Sequence, residues 1–364
     1  MKMLLLGDMS PTDENKHLFD QGAVDTLFTD TRRLFDEADV AIVNLECAIT
    51  DHDTQITKFG PALKTPFGTA KTLKEVGVDY CNLSNNHFFD FGKKGAMDSI
   101  KALEEVGIGY TGFGENEADS RRNLIIDRDG EKICVIAVCE HEYSYALEDR
   151  MGSRGFDVFD TPLEIRAAKE KYDRVIVLYH GGKEHCQYPS PRLRKACRTM
   201  VKCGADVVLC QHTHCIGAYE EFEGGHILYG QGNFHFVKAK YKDILNWFEC
   251  LAVNYDTKTN QIEFTPITAN EELVGIRLAN EEECKKIMNS FAQRNASLHD
   301  GTWRDGWHAF CESMREVYTN VIIRAGSEEN AERRMHHFAH YIDCEAHSDV
   351  WRELYPTYNY TNER

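Results

Sequence analysis

Short apolar runs alternate with longer amphipathic segments over the first two thirds of the chain. The runs of strand length are 2–7, 38–44, 78–84, 132–139, 174–179 and 206–210. Segments with the three-to-four-residue spacing of helices fall between them, near 66–76, 93–106, 161–172 and 190–203. Because strands that are apolar throughout are buried on both faces, this alternation predicts an α/β fold in which helices cover the sheet.

The pattern changes twice toward the C-terminus. Closely spaced strand-like segments between 216 and 267 indicate antiparallel strands that close a sheet. From about 270 the spacing becomes helical, and three amphipathic helices are predicted near 281–295, 306–326 and 329–343. We therefore divide the chain into an α/β domain, 1–270, and a helical C-terminal extension, 271–364, that forms either a lid or a homodimer interface.

Composition narrows the classes of partner. The 364 residues carry a formal net charge of -17, which disfavours nucleic acid and anionic membranes because both require basic surface. The apolar stretch of MKMLLLGDMS is too short for a signal sequence, and no stretch reaches the length of a membrane span. The 13 cysteines are an odd number and are scattered along the chain, which is typical of reduced thiols. We therefore expect a cytoplasmic protein. An anionic substrate is compatible with the negative net charge, because a bound metal can reverse the sign of the local electric field.

Polar side chains follow five of the apolar runs, at the point where each predicted strand ends. They are Asp8; Asn44 and Glu46; Asn85, Asn86 and His87, with Asp90 shortly after; His180; and His212 and His214. In an open α/β sheet, ligands gather beyond the carboxyl ends of the strands, so these side chains are expected to converge. Each residue alone could be a turn former, a loop charge or a core histidine, but their joint placement favours a functional site.

This mixture of side chains suits two divalent ions such as Mn, Fe or Zn. Such ions prefer imidazoles and oxygen donors, and a carboxylate that bridges them allows both to act on one water molecule. The predicted metal ligands are Asp8, Glu46, Asn86, His180, His212 and His214. Two imidazoles separated by one residue can face one centre on a turn, whereas a helix would direct them apart.

Other side chains are assigned to catalysis and substrate binding. His87 follows a predicted ligand and must leave the chain in another direction, which suits a proton donor beside the metals. Asn44, Asn85 and Lys64 are candidates for binding the substrate, and Lys58 could also meet a substrate carboxylate. On the last predicted helix, His336 and His340 share a face, but a polar surface is favoured there over a second metal site.

The ordered motifs resemble the CapA family, which is named for poly-γ-glutamate capsule synthesis and is similar to calcineurin-like metallophosphoesterases. The resemblance covers about residues 1–240. It is carried by Gly7-Asp8, Asn44-Leu45-Glu46, Asn85-Asn86-His87, His180-Gly-Gly-Lys-Glu184, His212-Thr-His214 and Gly232-Asn233-Phe234. It implies a four-layered α/β/β/α sandwich, a dinuclear metal site bridged by Glu46, and an acid–base or supporting role for Glu184.

The sequence departs from the phosphoesterase pattern at two positions. The first motif usually reads Asp-X-His, whereas here Asp8-Met9-Ser10 lacks the imidazole, so that Ser10 or water would substitute. The bridging carboxylate is usually an aspartate, and here Glu46 fills the position, as in CapA proteins. Both departures weaken the expectation of simple phosphate-ester hydrolysis while preserving the metal scaffold.

Three functions are compatible with these features. The leading hypothesis is a metal-dependent hydrolase that acts on poly-γ-glutamate, a related γ-glutamyl compound or peptide, or a phosphoester. The second is a non-hydrolytic accessory subunit of polyglutamate synthesis or export that holds the polymer in the same cleft. The third is a metal-dependent peptide epimerase, in which the metals acidify a proton beside a carboxylate.

Overall fold

The computed structural model describes residues 1–140, 143–244, 246–325 and 331–356. The strands are β1 Lys2–Met9, β2 Val40–Leu45, β3 Ala48–Ile49, β4 Lys64–Thr65, β5 Tyr80–Asn82, β6 Gly109–Thr111, β7 Phe113–Gly114, β8 Leu124–Arg128, β9 Glu131–Cys139, β10 Gly152–Ser153, β11 Arg174–His180, β12 Val207–Gln211, β13 Tyr219–Phe222, β14 Gly225–Leu228, β15 Asn233–His235, β16 Cys250–Asp256, β17 Gln261–Ala269 and β18 Ile276–Leu278. The helices are α1 Lys16–Gln21, α2 Val24–Phe28, α3 Arg32–Asp36, α4 Gly68–Val76, α5 Gly92–Glu105, α6 Glu117–Ser120, α7 Asp160–Lys169, α8 Pro191–Lys202, α9 Glu281–Asp300, α10 Trp303–Ala325, α11 Ala331–Asp343 and α12 Glu345–Leu354.

Two mixed sheets form the centre of the fold. The first has the order β18-β17-β16-β1-β2-β5-β6, with β15 also paired to β1, and the second has the order β13-β14-β12-β11-β9-β8. The inner strands of each sheet run parallel, as in the pairs β1–β2 and β11–β12, while β16, β17 and β8 run antiparallel to their neighbours. Parallel strands place their carboxyl ends at one edge, which is where the candidate site residues occur.

The period-two alternation of the strands builds four layers. Leu5 and Ile42 of the first sheet and Ile176 of the second lie in one buried cluster between the sheets. The alternate residues point outward, so that Leu4 packs with the helices α1 to α5 and Val177 packs with α7 and α8. The predicted α/β/β/α sandwich is therefore confirmed.

The region 216–267 differs in part from the antiparallel prediction. Strands β13, β16 and β17 have antiparallel partners, but β14 pairs parallel with β12, and β15 pairs parallel with β1. The reason is that β13 and β14 form a tight hairpin through Gly224, whose φ is +83°. The returning strand β14 then lies beside β12, and β13 becomes the edge.

The C-terminal region also differs from its sequence prediction. Residues Ile276–Leu278 form a strand paired with β17, so the helices begin at Glu281, where Asn280 and Glu283 form a reciprocal capping box. The three predicted helices are present as α9, α10 and α11, and a fourth helix, α12, follows; residues 326–330 lie outside the described ranges. The division of the chain at residue 270 remains a prediction.

None of the helices in the described ranges combines the length and apolar character that a membrane span requires.

Glu220 ties the outer helix α8 to the edge strand β13. Its buried carboxylate accepts hydrogen bonds from Arg194 at 3.1 Å, from Arg198 and from the Tyr229 hydroxyl at 2.6 Å. Burial opposes ionisation, but the hydrogen bonds from Arg198, Arg194 and Tyr229 outweigh it and lower the pKa of Glu220 to about 2. The ionised carboxylate therefore stabilises this side of the sandwich.

We predict that Glu220→Gln lowers the free energy of unfolding at pH 7 by about 2 kcal/mol, with solvent screening taken into account. Since folding depresses the pKa from 4.5 to about 2, this stabilisation is fully present above pH 4.5 and is lost as the pH falls toward 2. Urea unfolding at neutral pH and in acid should show the difference from wild type shrinking in acid. Glu221→Gln, at the exposed neighbouring position, is the control. A difference that does not vary with pH would contradict the prediction.

Candidate metal centre

The two sheets deliver the predicted ligands to one place. Asp8 lies in β1, Glu46 follows β2 and Asn86 follows β5, all from the first sheet, while the second sheet supplies His180 at the end of β11 and the two histidines that follow β12. All six side chains are buried, and Asp8 and Glu46 have no exposed surface. The convergence of the predicted ligands arises because the parallel strands of both sheets end at the same edge.

The turn after β12 has an unusual backbone. His212 and His214 have φ angles of 78° and 53°, in the left-handed region that costs a residue with a side chain on the order of 1 kcal/mol. The backbone N–H of His212 donates to Asp8 Oδ2 at 2.9 Å, which links the second sheet to the first. This conformation directs both imidazoles toward the carboxylates of the first sheet.

The ligand atoms form two groups that share one carboxylate. Glu46, His180 and His212 offer atoms that all lie within 4.8 Å of one another, and so do Asp8, Glu46 and His214. Glu46 Oε1 lies 3.5 Å from His180 Nε2 and 4.0 Å from His214 Nε2. Glu46 is thus the residue common to both groups.

Asn86 lies beside the first of these groups, in contact with His180. Its Oδ1 lies 2.9 Å from His180 Nε2, so the amide oxygen faces the same position as that imidazole. An oxygen donor beside two imidazoles and a carboxylate is a ligand set suited to Zn, Mn or Fe.

Glu46 provides the test of whether a cation fits. Both of its carboxylate oxygens are buried and neither accepts a hydrogen bond from the described residues. Burial, followed by the charges of Asp8 and Glu184, holds the pKa of Glu46 well above its ordinary value. A buried carboxylate without donors is costly to ionise unless a positive charge compensates it, and a divalent ion supplies that charge. His212 Nδ1 is also buried, has no hydrogen-bond partner within the described part of the chain, and offers a further ligand atom.

Asn233 orients one ligand in a way that sequence reasoning missed. Its Nδ2 donates to the carbonyl oxygen of Trp247 at 2.9 Å, so its Oδ1 is the acceptor for His214 Nδ1 at 2.8 Å. His214 therefore carries its proton on Nδ1 and presents Nε2 to the site. The motif Gly232-Asn233-Phe234 gives no signal of this contact, because nothing local shows where the Asn233 amide points.

Asn44 and Asn85 lie behind the ligands. Asn44 Nδ2 donates to Asp8 Oδ1 at 2.7 Å and lies 3.1 Å from His180 Nδ1. Asn85 Oδ1 accepts from the backbone N–H groups of His87 and Phe88 at 3.1 and 2.9 Å. Both asparagines are fully buried, and these contacts orient the site; their predicted role in substrate binding remains a prediction.

His87 stands beside the ligand groups and belongs to neither of them. Its Nδ1 lies 2.7 Å from Asp90 Oδ2, which also accepts from the backbone N–H of Leu63 at 2.8 Å. Lys58 pairs with the other oxygen of Asp90. Burial and the charge of Lys58 lower the pKa of His87, against the opposing effect of Asp90. The contact with Asp90 fixes Nδ1 as the protonated nitrogen and leaves Nε2 for exchange with a reacting group.

Of the two lysines considered from the sequence, Lys58 is the one that contacts Asp90 beside His87. Lys64 instead bonds to the carbonyl oxygen of His52 at 2.9 Å and to Asp53 Oδ1 at 2.6 Å, beside the short strands β3 and β4. Their spacing along the chain gives no reason to distinguish the two lysines. Their different partners follow from the conformation of the folded loop.

Glu184 lies close to the histidines. Burial opposes its ionisation, but the charges of Lys183, His212 and His214 outweigh that effect and hold its pKa below the ordinary value. It is therefore an anion at neutral pH, which fits a supporting or acid–base role. Ser10, in the position of the absent imidazole, is buried beside Cys47.

The fold and the site together define an α/β/β/α protein with a buried carboxylate–histidine centre at the ends of its parallel strands. The chain belongs to the family of bacterial capsule synthesis proteins PGA_cap, whose model matches residues 2–238. This finding confirms the resemblance to CapA proteins, and it places the chain in a family involved in poly-γ-glutamate capsule synthesis.

Two relatives show the extent of the similarity. The capsule biosynthesis protein CapA of Bacillus anthracis is 28% identical over 245 residues, which cover 65% of this chain and 60% of the relative. The PGA biosynthesis protein CapA of Bacillus subtilis is 24% identical over 279 residues, which cover 73% of this chain and 71% of the relative. The chain thus spans less than two thirds of the length of the first relative.

Among solved structures, the chain is similar to a hypothetical protein from Thermus thermophilus, with a TM-score of 0.43 and 16% identity over 77% of this chain and 98% of that one. It is also similar to the 5'-nucleotidase of Candida albicans, with a TM-score of 0.42 and 9% identity over 80% of this chain and 57% of that one.

We predict that the double variant His212→Ala/His214→Ala loses stoichiometric metal binding, because it removes an imidazole from each ligand group. Protein purified with Mn, Fe or Zn and measured by elemental analysis should hold up to two ions per chain before the substitution. The control is His226→Ala, which removes a buried histidine of β14 that bonds to Tyr219 outside the site. Full metal content in the double variant would show that the ligands lie elsewhere.

Proposed function

We propose that this protein is a metal-dependent hydrolase with a dinuclear centre that acts on an anionic substrate. The substrate class is a γ-glutamyl chain, a related peptide or a phosphoester. The observation that carries the proposal is the buried Glu46 carboxylate, which is shared by two ligand groups and accepts no hydrogen bond from the described residues. The family membership and the CapA names of the relatives support a γ-glutamyl substrate.

In this proposal each ligand has a defined place. Asp8, Glu46 and His214 would hold one ion, and Glu46, Asn86, His180 and His212 would hold the second. Two such ions, when bound, activate water near neutral pH and polarise the scissile bond. Asn44 and Asn233 keep Asp8 and His214 in position through the hydrogen bonds described above.

His87 is proposed to accept a proton on Nε2 from the attacking water and then to pass it to the leaving group. Asp90 holds its Nδ1, so Nε2 is the atom that exchanges a proton with the substrate. Lys58 forms an ion pair with Asp90, and this pair holds the Asp90 carboxylate against His87 Nδ1. Glu184, anionic and close to His212 and His214, is proposed as the base or as a residue that orients water.

A cytoplasmic location is part of the proposal and rests on the scattered, odd-numbered cysteines.

The proposal is tested by metal-dependent turnover on defined substrates. Protein loaded with Mn, Zn or Fe is incubated with γ-glutamyl oligomers, α-linked glutamyl peptides and phosphodiesters, and the products are separated by mass and by stereochemistry. We predict cleavage of at least one class that is abolished by His212→Ala/His214→Ala. Inverted stereochemistry without cleavage would identify an epimerase. Stoichiometric polyglutamate binding without chemistry would identify an accessory subunit.

We predict that His87→Ala keeps metal content near that of wild type, because His87 lies outside both ligand groups. Turnover should fall by roughly 10²–10⁴, the usual contribution of a positioned acid. The matched control is His52→Ala, which removes a partly buried histidine from a nearby loop. Loss of metal together with activity would assign His87 a structural role, and full activity in the metal-loaded variant would remove it from the mechanism.

A further inference from the structure

The last three helices, α10, α11 and α12, lie against both flanks of the metal centre, and we refer to them as the roof. On one flank, Trp307 of α10 is buried in a cluster with Cys186 and Tyr188, in the loop that follows His180. The fit is close, because a Cβ at Gly306 would lie 2.4 Å from the Tyr188 ring.

The other flank is held by an aromatic stack. Phe59, the residue after Lys58, stacks on His337 of α11 with ring centroids 3.9 Å apart and an interplanar angle of 11°. Phe59 also packs against the apolar cluster of the roof. One helical unit therefore spans from the loop that carries Lys58 to the loop that follows His180.

A buried polar network anchors α12 to the site. Asp349 accepts hydrogen bonds from Ser190 Oγ at 2.6 Å and from Arg192 Nε at 2.8 Å. Arg192 also pairs with Glu140, whose Oε2 accepts from the backbone N–H of Gly182 at 2.9 Å. Gly182 precedes Lys183 and Glu184, so the roof is connected through two ion pairs to the backbone that positions these residues.

The inner side of the roof is polar where it faces the metal centre. The Tyr318 hydroxyl lies 2.6 Å from His347 Nδ1, and His347 Nε2 lies 3.2 Å from His340 Nε2. Burial lowers the pKa of His347 strongly, and the charge of Lys183 lowers it further.

A covered site limits how a chain-like substrate can reach it. The seven side chains of the centre, including His87, are each at most 8% exposed. To be cleaved at an internal bond, a long chain must lie along an open groove. A site that helices cover from one side to the other admits a chain only when one of its ends enters first. The geometry therefore separates end-directed from internal cleavage.

We propose that the roof restricts this centre to anionic substrates that enter by a free end, namely short γ-glutamyl compounds or the termini of longer chains. The inference rests on the proposed hydrolase function and specifies its substrate class. The roof lies after residue 238, outside the region that the family model matches. The buried Lys183 provides positive charge for such a substrate within the covered space.

The first test compares linear and cyclic γ-glutamyl oligomers of equal length, using the metal-loaded full chain. The linear oligomer, labelled at one end, should release terminal fragments first, and the cyclic oligomer should remain intact because it has no end to thread. Mid-length fragments at the earliest times, or cleavage of the cyclic oligomer at the linear rate, would overturn the proposal.

The second test does not depend on turnover. Diethyl pyrocarbonate labels accessible histidines, and peptide mass spectrometry of chelator-treated protein compares His180, His212 and His214 with the exposed His299. We expect the site histidines to react at least about tenfold more slowly, as buried groups that require local opening do. Phe59→Ala/Asp349→Asn, which releases both flanks, should narrow the difference, whereas Phe159→Ala/Asp305→Asn, at exposed positions, should not.

These outcomes separate the roof from the hydrolase proposal. One outcome is slow labelling of the site histidines that becomes faster in the roof variant, with no turnover of any oligomer. It would support the proposal that the roof restricts access and would contradict the hydrolase proposal. If the site histidines are labelled as fast as His299, or if their labelling rate is unchanged in a folded roof variant, the proposal that the roof restricts access is wrong. Circular dichroism verifies folding, and the isosteric single variant Asp349→Asn replaces the double variant if the latter unfolds.

Discussion

The buried carboxylate of Glu46 is the constraint on which the rest of the site depends. Its oxygens accept no hydrogen bond from the described residues, and burial and the nearby charge of Asp8 oppose its ionisation. Asp8 is also buried, and burial raises its pKa against the effects of His214 and Asn44. Two adjacent buried carboxylates are unfavourable in an apolar core, but they are the arrangement that a pair of divalent cations would stabilise.

The carboxylates and the imidazoles meet because the two sheets pack face to face. The first sheet contributes the oxygen ligands and the second contributes the imidazoles, so neither sheet alone holds a complete set. Hydrogen bonds cross between the sheets beneath the ligands: Asn82 Nδ2 donates to Gln211 Oε1 at 3.2 Å, and Gln211 Nε2 donates to the carbonyl oxygen of Leu6 at 3.2 Å. The relative position of the sheets therefore determines the separation of the ligand groups.

The predicted ligands and the last three helices lie in different parts of the chain. Every predicted ligand lies within the family-matched residues 2–238, whereas α10, α11 and α12 follow that region. The anchor from Asp349 through Arg192 and Glu140 to Gly182 joins the two parts. The predicted ligands and the last three helices thus belong to different segments that this network connects.

Features that depend on local pattern were predictable from the amino-acid sequence. Alternating apolar runs predicted the layers, and polar residues at strand ends predicted Asp8, Glu46 and the histidines, because the carboxyl ends of parallel strands meet at one edge. Contacts between distant segments, in contrast, became known from the folded structure. It joined Lys58 rather than Lys64 to Asp90, turned the Asn233 side chain onto His214, added β18 to the first sheet and placed the last helices over the site. Local spacing cannot specify these contacts, because each depends on where a residue far along the chain is held when the core packs.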